Sequence, residues 1–327
     1  MIYNCGIIGY GVMGQIRHDT CNLIEELQVK KIFDPDSSLI AENDLLAGSA
    51  DEIINDPDID VIFIATPNYL NKDLTINALK KNKHVFCEKP PALKSKDILD
   101  IKKVNHKSTL MYGFNHRHHE SVLKCKELVQ SGEYGKILWL RGRYGKSVDS
   151  SFFDNWRANY SKAGGGILMD QGIHMLDLFL YFCDDFDIVK SIVSNTYWKS
   201  EVEDNVFAVF KNSEKNISAS LHSTMTQWRH LFSLEIFLES GYLVINGLNT
   251  SSGTYGTEEL SIAKKRTKAP AATWKDEKKI LYNDNFWLTE MLYFLKNIKL
   301  RTSPEICNSD DAYKILNLIE RIYKDGT

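Results

Sequence analysis

The stretch Gly9-Tyr10-Gly11-Val12-Met13-Gly14 restricts the fold of this 327-residue chain more than any other feature. It follows a short apolar run over residues 2–8 (IYNCGII) and precedes a helical pattern that extends to about Leu27. Glycine at 9 permits a tight turn, glycine at 11 lets a pyrophosphate approach the backbone, and glycine at 14 allows helix and strand to pack closely. The first NH groups of the helix, at Val12 and Met13, then face the phosphates with the positive end of the helix dipole. A second strand over residues 29–33 leads to Asp34, twenty positions beyond Gly14. A carboxylate there accepts hydrogen bonds from the hydroxyls of an adenosine ribose and repels a 2′-phosphate. No arginine stands immediately beside it, so NAD is the expected cofactor and NADP the less favoured one.

The alternation continues through the front half. Residues 60–65 (DVIFIA) form an almost wholly apolar run, as a strand covered on both faces requires. A helix over 70–81, a strand over 84–87, a helix over 95–105 and a strand over 109–114 complete the series. Strand and helix alternate, which implies right-handed crossovers in a doubly wound parallel sheet. After about residue 120 the character changes. A helix over 121–130 and a strand over 136–144 precede a glycine-led helical stretch, GGGILMDQGIHMLD, at 164–177. Strand patterns over 189–198, 205–210, 217–225, 231–238 and 242–245 follow, and their alternation predicts an antiparallel sheet with one face covered. Amphipathic helices over 286–298 and 310–323 close the chain. The expected organisation is an α/β Rossmann domain over 1–118, followed by an α+β domain over 119–327 with a large, mostly antiparallel open sheet.

Composition narrows the function classes. With 43% hydrophobic and 25% charged residues the chain is of ordinary globular type, and its length suits two domains. A net charge of −3 offers no overall positive field for nucleic acid or an anionic membrane. Lys80, Lys81 and Lys83 read as a solvated basic face near a helix end. MIYNCGIIG passes into a strand without a basic leader, and no uninterrupted apolar segment reaches about 18 residues, so a cytoplasmic location is expected. Cysteines at 5, 21, 87, 125, 183 and 307 form no CxxC pair and read as reduced thiols.

Two constellations carry chemistry. Cys87-Glu88-Lys89-Pro90-Pro91 ends a strand on the edge where open α/β sheets bind ligands. A lysine there can donate to a developing alkoxide or carbonyl oxygen, and partial burial would lower its pKa from about 10.4. Asp170 and His174 are four apart and share one face of a helix, with Gly164, Gly165 and Gly166 allowing a close backbone approach before it. In that arrangement the acid orients the imidazole, which takes a hydroxyl proton as hydride leaves the same carbon. Arg143, Lys146 and Arg157 are candidates for recognising an acidic sugar or nucleotide diphosphate, against the plainer reading of surface or ion-paired cations. His116, His118 and His119 lie at a strand-to-helix junction without an obvious fourth ligand, and no metal is expected.

GYGVMG, Asp58-Ile59-Asp60 through ATPN (65–68), HVFCEKP (84–90), GFNHR (113–117), SGEYGKI (131–137) and NWR (155–157) with GGGILMDQGIHMLD together resemble the Gfo/Idh/MocA family. The resemblance spans nearly the whole chain, and EKP with the later D-x-x-x-H is its specific part. It implies that Lys89, Asp170 and His174 form a catalytic trio. It extends the cofactor contacts to Thr66, Pro67, Asn68, Glu88 and Lys89, beside Gly9, Gly11, Val12, Met13, Gly14 and Asp34. Substrate contacts would come from Lys89, Asn115, Arg143, Arg157, Asp170 and His174. The implied activity is NAD-dependent hydride transfer between nicotinamide and a secondary alcohol or ketone of a cyclic polyol, sugar or nucleotide-linked sugar. The C-terminal sheet would build a homodimer or homotetramer.

Two alternatives accompany this expectation. One is a catalytically silent regulatory protein of the same fold that binds dinucleotide and sugar and signals to a partner. The other is an enzyme that recycles NAD within its site. Two departures bear on substrate preference: Asn71 stands where relatives commonly carry histidine, and Glu120 where they commonly carry proline.

Overall fold

The apolar runs of the front half are buried on both faces, as a parallel sheet between two helix layers demands. The computed structural model describes residues 1–104, 106–264 and 277–326. The chain divides into two compact units: Met1–Asn115 with Ser161–Gly164 and Trp287–Asn317, and His116–Tyr160 with Gly165–Phe286 and Leu318–Thr327.

The elements of the first stretch are β1 (Tyr3–Ile8), α1 (Val12–Cys21), β2 (Leu27–Phe33), α2 (Ala50–Asn55), β3 (Val61–Ile64), α3 (Asn68–Lys80), β4 (His84–Cys87), α4 (Ser95–Lys102) and β5 (Leu110–Tyr112). Their strands form one sheet in the order β2-β1-β3-β4-β5, with every pairing parallel. Helix α1 stops at Cys21, short of the expected Leu27, because Leu27 already pairs with Tyr3 at the start of β2. Helix α4 ends at Lys102, and Asn105, the expected end, lies outside the described residues. The short α2, capped by the Ser49 hydroxyl on Glu52 N, was too brief to show a period. Lys83 corrects the reading of a solvated basic face: it is buried, and its ammonium donates at 2.6 Å to the carbonyls of both Asp56 and Ile59. Lys80 and Lys81 are exposed.

The chain continues through α5 (Glu120–Gln130), β6 (Ile137–Ser147), α6 (Tyr160–Ala163), α7 (Ile173–Cys183), β7 (Ile188–Ser194), β8 (Asn205–Asn212), β9 (Ile217–Thr224), β10 (Thr226–Leu238), β11 (Gly241–Asn246), β12 (Glu258–Lys264), β13 (Lys278–Tyr282), α8 (Phe286–Leu300) and α9 (Ser309–Gly326). Eight of these strands form the second sheet in the order β13-β12-β11-β10-β6-β9-β8-β7. Its pairings are antiparallel except that of β6 with β9. The apolar helix α7 covers one face, where Phe179 packs edge-on to Phe210 of β8. Strands β12 and β13 escaped the sequence pattern, since β13 (KKILY) is a lysine-led edge strand with little buried. In the first unit Phe294 of α8 packs against Phe63 and Phe86, adding a helix from the far end of the chain to the parallel sheet's core.

No helix among the described residues is long and apolar enough to cross a membrane. All six cysteines are buried and none is in a disulfide.

Candidate active site and cofactor loop

The glycine loop has the shape its sequence asks for. Gly9 sits at φ +90°, where a Cβ would also stand 2.5 Å from Ala65 O. A Cβ at Gly14 would stand 2.1 Å from Gly9 O, whereas one at Gly11 would meet nothing within 4 Å. Turn and packing therefore fix the outer glycines, and Gly11 marks the open side. Asp34 pins the loop: Oδ2 accepts from Tyr10 N at 2.6 Å and Oδ1 from Asp36 N at 2.9 Å. Each carboxylate oxygen keeps a second lone pair, so a ribose hydroxyl can still be accepted. Helix α1 begins with no side-chain cap and no acid in its first turn, which leaves its leading NH groups for a phosphate. Open glycine, uncapped helix start and poised acid fit a dinucleotide.

Strand β4 delivers Glu88 and Lys89 from its carboxyl end. The Glu88 carboxylate is buried, and its Oε1 accepts from Arg17 Nε at 2.7 Å. Arg17, fully buried, donates also to Glu290 Oε2 at 2.7 Å and lies over the rings of Phe86 and Trp287. One cation thus serves two carboxylates. Burial pushes Glu290 up to about 7, against the pull of Arg17 and with the help of the Glu88 charge. Asn71, read from the sequence only as a departure, holds this segment: its Nδ2 donates to Pro90 O at 2.8 Å and its Oδ1 accepts from the Thr66 hydroxyl at 2.8 Å. Asn68 Nδ2 donates to Ala163 O at 2.8 Å, and Lys89 is half-buried.

In the second unit Asp170 lies on a π-helical turn, Leu168–Gly172, and His174 on α7, which follows directly. The expected single α-helix is therefore widened where it carries the acid, a feature frequent at functional sites. Two of the glycines before it, Gly165 and Gly166, pack on two residues that sequence reasoning missed. Gly164 sits at φ +81°, a Cβ at Gly165 would stand 2.0 Å from the Tyr323 hydroxyl, and one at Gly166 would stand 2.1 Å from Glu203 O. Glu203, raised in pKa by burial, accepts from Gly166 N (2.8 Å), Leu168 N (3.0 Å) and Tyr323 OH (2.9 Å). No local pattern marks this glutamate, because its partners are 35 and more residues away.

Asp170 Oδ2 accepts from Lys146 Nζ at 2.9 Å. The period of a strand explains why Lys146 reaches it and Arg143 does not: Lys146 and Tyr144 share the inner face of β6, while Arg143 projects exposed from the outer face, in register with His222. Arg143 is thus not brought to Asp170. Arg157 stands on an exposed turn with its guanidinium over Trp156.

His174 stacks on His116, with ring centroids 3.9 Å apart and planes 15° apart. His116 Nε2 and Tyr144 OH lie 3.1 Å apart, and the Tyr144 ring meets Tyr255 edge-on. Burial first, then Tyr255 and the Asp170 charge, hold the Tyr144 hydroxyl well above its ordinary pKa. His119 points elsewhere, to Glu258 at 2.8 Å; there burial is outweighed by His119 and Ser121, and the carboxyl lies below its ordinary value. Arg117 forms a buried two-pronged pair with Asp177 at 2.9 and 2.6 Å. Asp170, His174, Lys146, His116 and Tyr144 thus gather in one corner of the second unit. Lys89, Asn115 and the cofactor loop belong to the first.

Comparison with known proteins agrees with both units. Residues 3–116 match the model described as oxidoreductase family, NAD-binding Rossmann fold, and residues 122–244 match the GFO/IDH/MocA C-terminal domain. Levoglucosan dehydrogenase of Pseudarthrobacter phenanthrenivorans is 38% identical over 148 residues, which are 43% of this chain but only 37% of that relative. Myo-inositol 2-dehydrogenase of Thermotoga maritima is 24% identical across 95% of this chain and 92% of its own length. A solved structure of levoglucosan dehydrogenase in complex with NADH and L-sorbose superposes with a TM-score of 0.88 at 23% identity, covering 99% of this chain and 96% of that one.

Proposed function

The chain belongs to the Gfo/Idh/MocA oxidoreductase family, and from that premise we propose that it is an NAD-dependent dehydrogenase or ketoreductase acting on a secondary alcohol of a sugar or cyclic polyol. The observation that carries this reading is the acid–base corner, where a charge-balanced Asp170 stands one turn before a His174 held flat by a stacked ring. Bound NAD supplies the hydride acceptor. The Rossmann unit holds it through Gly9, Gly11, Val12, Met13, Gly14 and Asp34, with Thr66, Pro67 and Asn68 following β3 and Glu88 and Lys89 following β4. In the oxidising direction the substrate hydroxyl gives its proton to the His174 imidazole as hydride leaves the same carbon. The Lys89 ammonium donates a hydrogen bond to the oxygen as its charge develops, and Asp170 orients substrate and imidazole.

A homo-oligomer built through the outer face of the second sheet is part of the proposal. Ile188, Ile192, Phe207 and Val209 are exposed there, beside a hollow of about 430 Å³ lined by Trp139, Ile188 and Val209 among others. Six buried free thiols support a cytoplasmic setting.

The deciding experiment follows nicotinamide absorbance with NAD or NADP against inositols, aldoses, sugar acids and nucleotide sugars, and in reverse against keto-sugars. NAD-linked turnover on one class is expected. Tight NAD binding without turnover on any class, together with a stable protein partner, would establish the silent regulator instead.

A further inference from the structure

A bulge in β10 presents an aromatic surface that runs to Asp170. Pairing of β10 with β6 is broken between Thr226 and Leu231, and the residues between leave the ladder. Trp228 in this bulge sits at φ +41°, a left-handed conformation that a large side chain adopts at a cost, and is 63% exposed. Its ring meets Tyr197 at 5.2 Å, and Tyr197, itself 56% exposed, meets Trp198 at 5.0 Å. Trp198 meets Phe153 at 5.0 Å, Phe153 meets Phe152, and the Phe152 ring lies 5.1 Å from the Lys146 ammonium that holds Asp170. From the other side of the same bulge His230 meets Tyr255 edge-on at 4.7 Å, which leads through Tyr144 to His116 and His174. Two lines of rings join one bulge to both members of the acid–base pair.

Single exposed aromatic residues are ordinary, but a contiguous set anchored by a strained tryptophan asks for an occupant. Bulges commonly re-aim side chains beside active sites. We propose that Trp228, Tyr197 and Trp198 form a subsite for the non-reacting pyranose ring of a glycoside, so that the preferred substrate has at least two rings. This rests on the oxidoreductase reading of Asp170 and His174. A pyranose offers a face of C–H groups and a rim of hydroxyls. The C–H face lies on the negative π face of an aromatic ring, which is what these exposed rings offer. A wholly aliphatic patch would serve a protein partner as well. Aromatic rings suit a sugar better, and the ring contacts link this patch to the Lys146 that holds Asp170. Binding energy from such a remote ring reaches the reacting centre by holding it in place.

The test uses the full-length protein, with initial rates of NAD reduction on glucose, methyl α-glucopyranoside, maltose and cellobiose. Tryptophan fluorescence is titrated with the same sugars. Trp228→Ala, Tyr197→Ala and Trp228→Leu are compared with the parent, each with its molecular mass in solution. Trp228→Leu covers the case in which alanine unsettles the bulge, and Tyr197→Ala leaves all six tryptophans as reporters. At least one disaccharide is expected to exceed glucose about tenfold in kcat/KM. The variants are expected to lose that advantage through KM while the glucose rate and the mass stay unchanged. Equal kcat/KM for one and two rings in the parent would overturn the proposal, as would equal losses on both. A variant that splits an oligomer would show the patch to be an interface between copies and would overturn it too. Fluorescence that responds to a disaccharide, is silenced by Tyr197→Ala and comes without turnover would keep the subsite and sink the redox reading. Turnover of glucose with no advantage for a second ring does the reverse.

Discussion

His116 and His174 lie face to face, 3.9 Å between centroids, with His116 tied to Tyr144 by its Nε2. The stack limits rotation of the His174 ring, and misplacement of a reacting group by about 1 Å can cost on the order of a hundredfold in rate. His116→Ala is expected to lower kcat at least about tenfold with KM nearly unchanged, and His116→Phe, which restores a flat ring, to recover part of it. An unaltered kcat in His116→Ala would show that the stack has no part in turnover.

Lys89→Ala and His174→Ala test the proposed chemistry more directly. Loss of a general acid or base typically costs about 10²–10⁴-fold, and kcat should fall into that range in each variant while NAD binding, followed by titration, persists. Near-normal turnover in both would remove them from the mechanism.

The two cations of β6 should behave oppositely. Lys146 contacts Asp170 and Arg143 projects from the far face of the sheet. Lys146→Met is expected to reduce kcat/KM by about tenfold or more, since it removes a cation that donates directly to the half-buried Asp170 carboxylate. Arg143→Ala is expected to leave kcat/KM within about twofold. A large effect of Arg143→Ala on KM would support its expected place among the substrate contacts.

Asp34 carries two duties, an acceptor for Tyr10 N and the predicted ribose contact. Asp34→Ala should weaken NAD about tenfold or more, each 1.4 kcal/mol being tenfold, and should narrow the preference over NADP because the repulsion of a 2′-phosphate is gone. Calorimetric titration with both dinucleotides measures the two effects, and an unchanged ratio would place the discrimination elsewhere.

Glu290 makes stability depend on pH. Burial raises its pKa from an ordinary 4.5 to about 7, so between those values the unfolded state ionises while the folded state stays protonated. The contribution is fully present below about 4.5, declines as pH rises through about 7 and is constant above. Glu290→Gln mimics the protonated form. Its denaturation midpoint relative to the parent should therefore climb across that window and level off beyond it. A parallel pair of stability curves would contradict the assignment.

What could be read from the sequence is what local geometry or burial writes there. GYGVMG is legible because a turn with φ +90° at Gly9 and a helix start at Val12 admit few residues. DVIFIA is legible because β3 is covered on both faces. The structural roles of Arg17, Asn71 and Glu203 were not legible, for the opposite reason. Their meaning lies in partners 273, 19 and 37 residues away, and a single polar residue on a helix or loop announces no such partner. Arg143 and Lys146 differ only in strand parity. The sequence pattern supplies that alternation but not the residue from which it is counted.

The place of β6 between β9 and β10 also sets an order of events. Arg141 and Glu235, which face each other across the β6–β10 pair, are 94 residues apart. Closing so long an excursion is entropically slow, and non-local pairing of this kind governs folding rates. A nascent chain that has emerged only as far as residue 200 has already delivered Lys89, Lys146, Asp170 and His174, yet the strands that would flank β6 are still to come. Recovery of activity on refolding should accordingly lag behind recovery of helix.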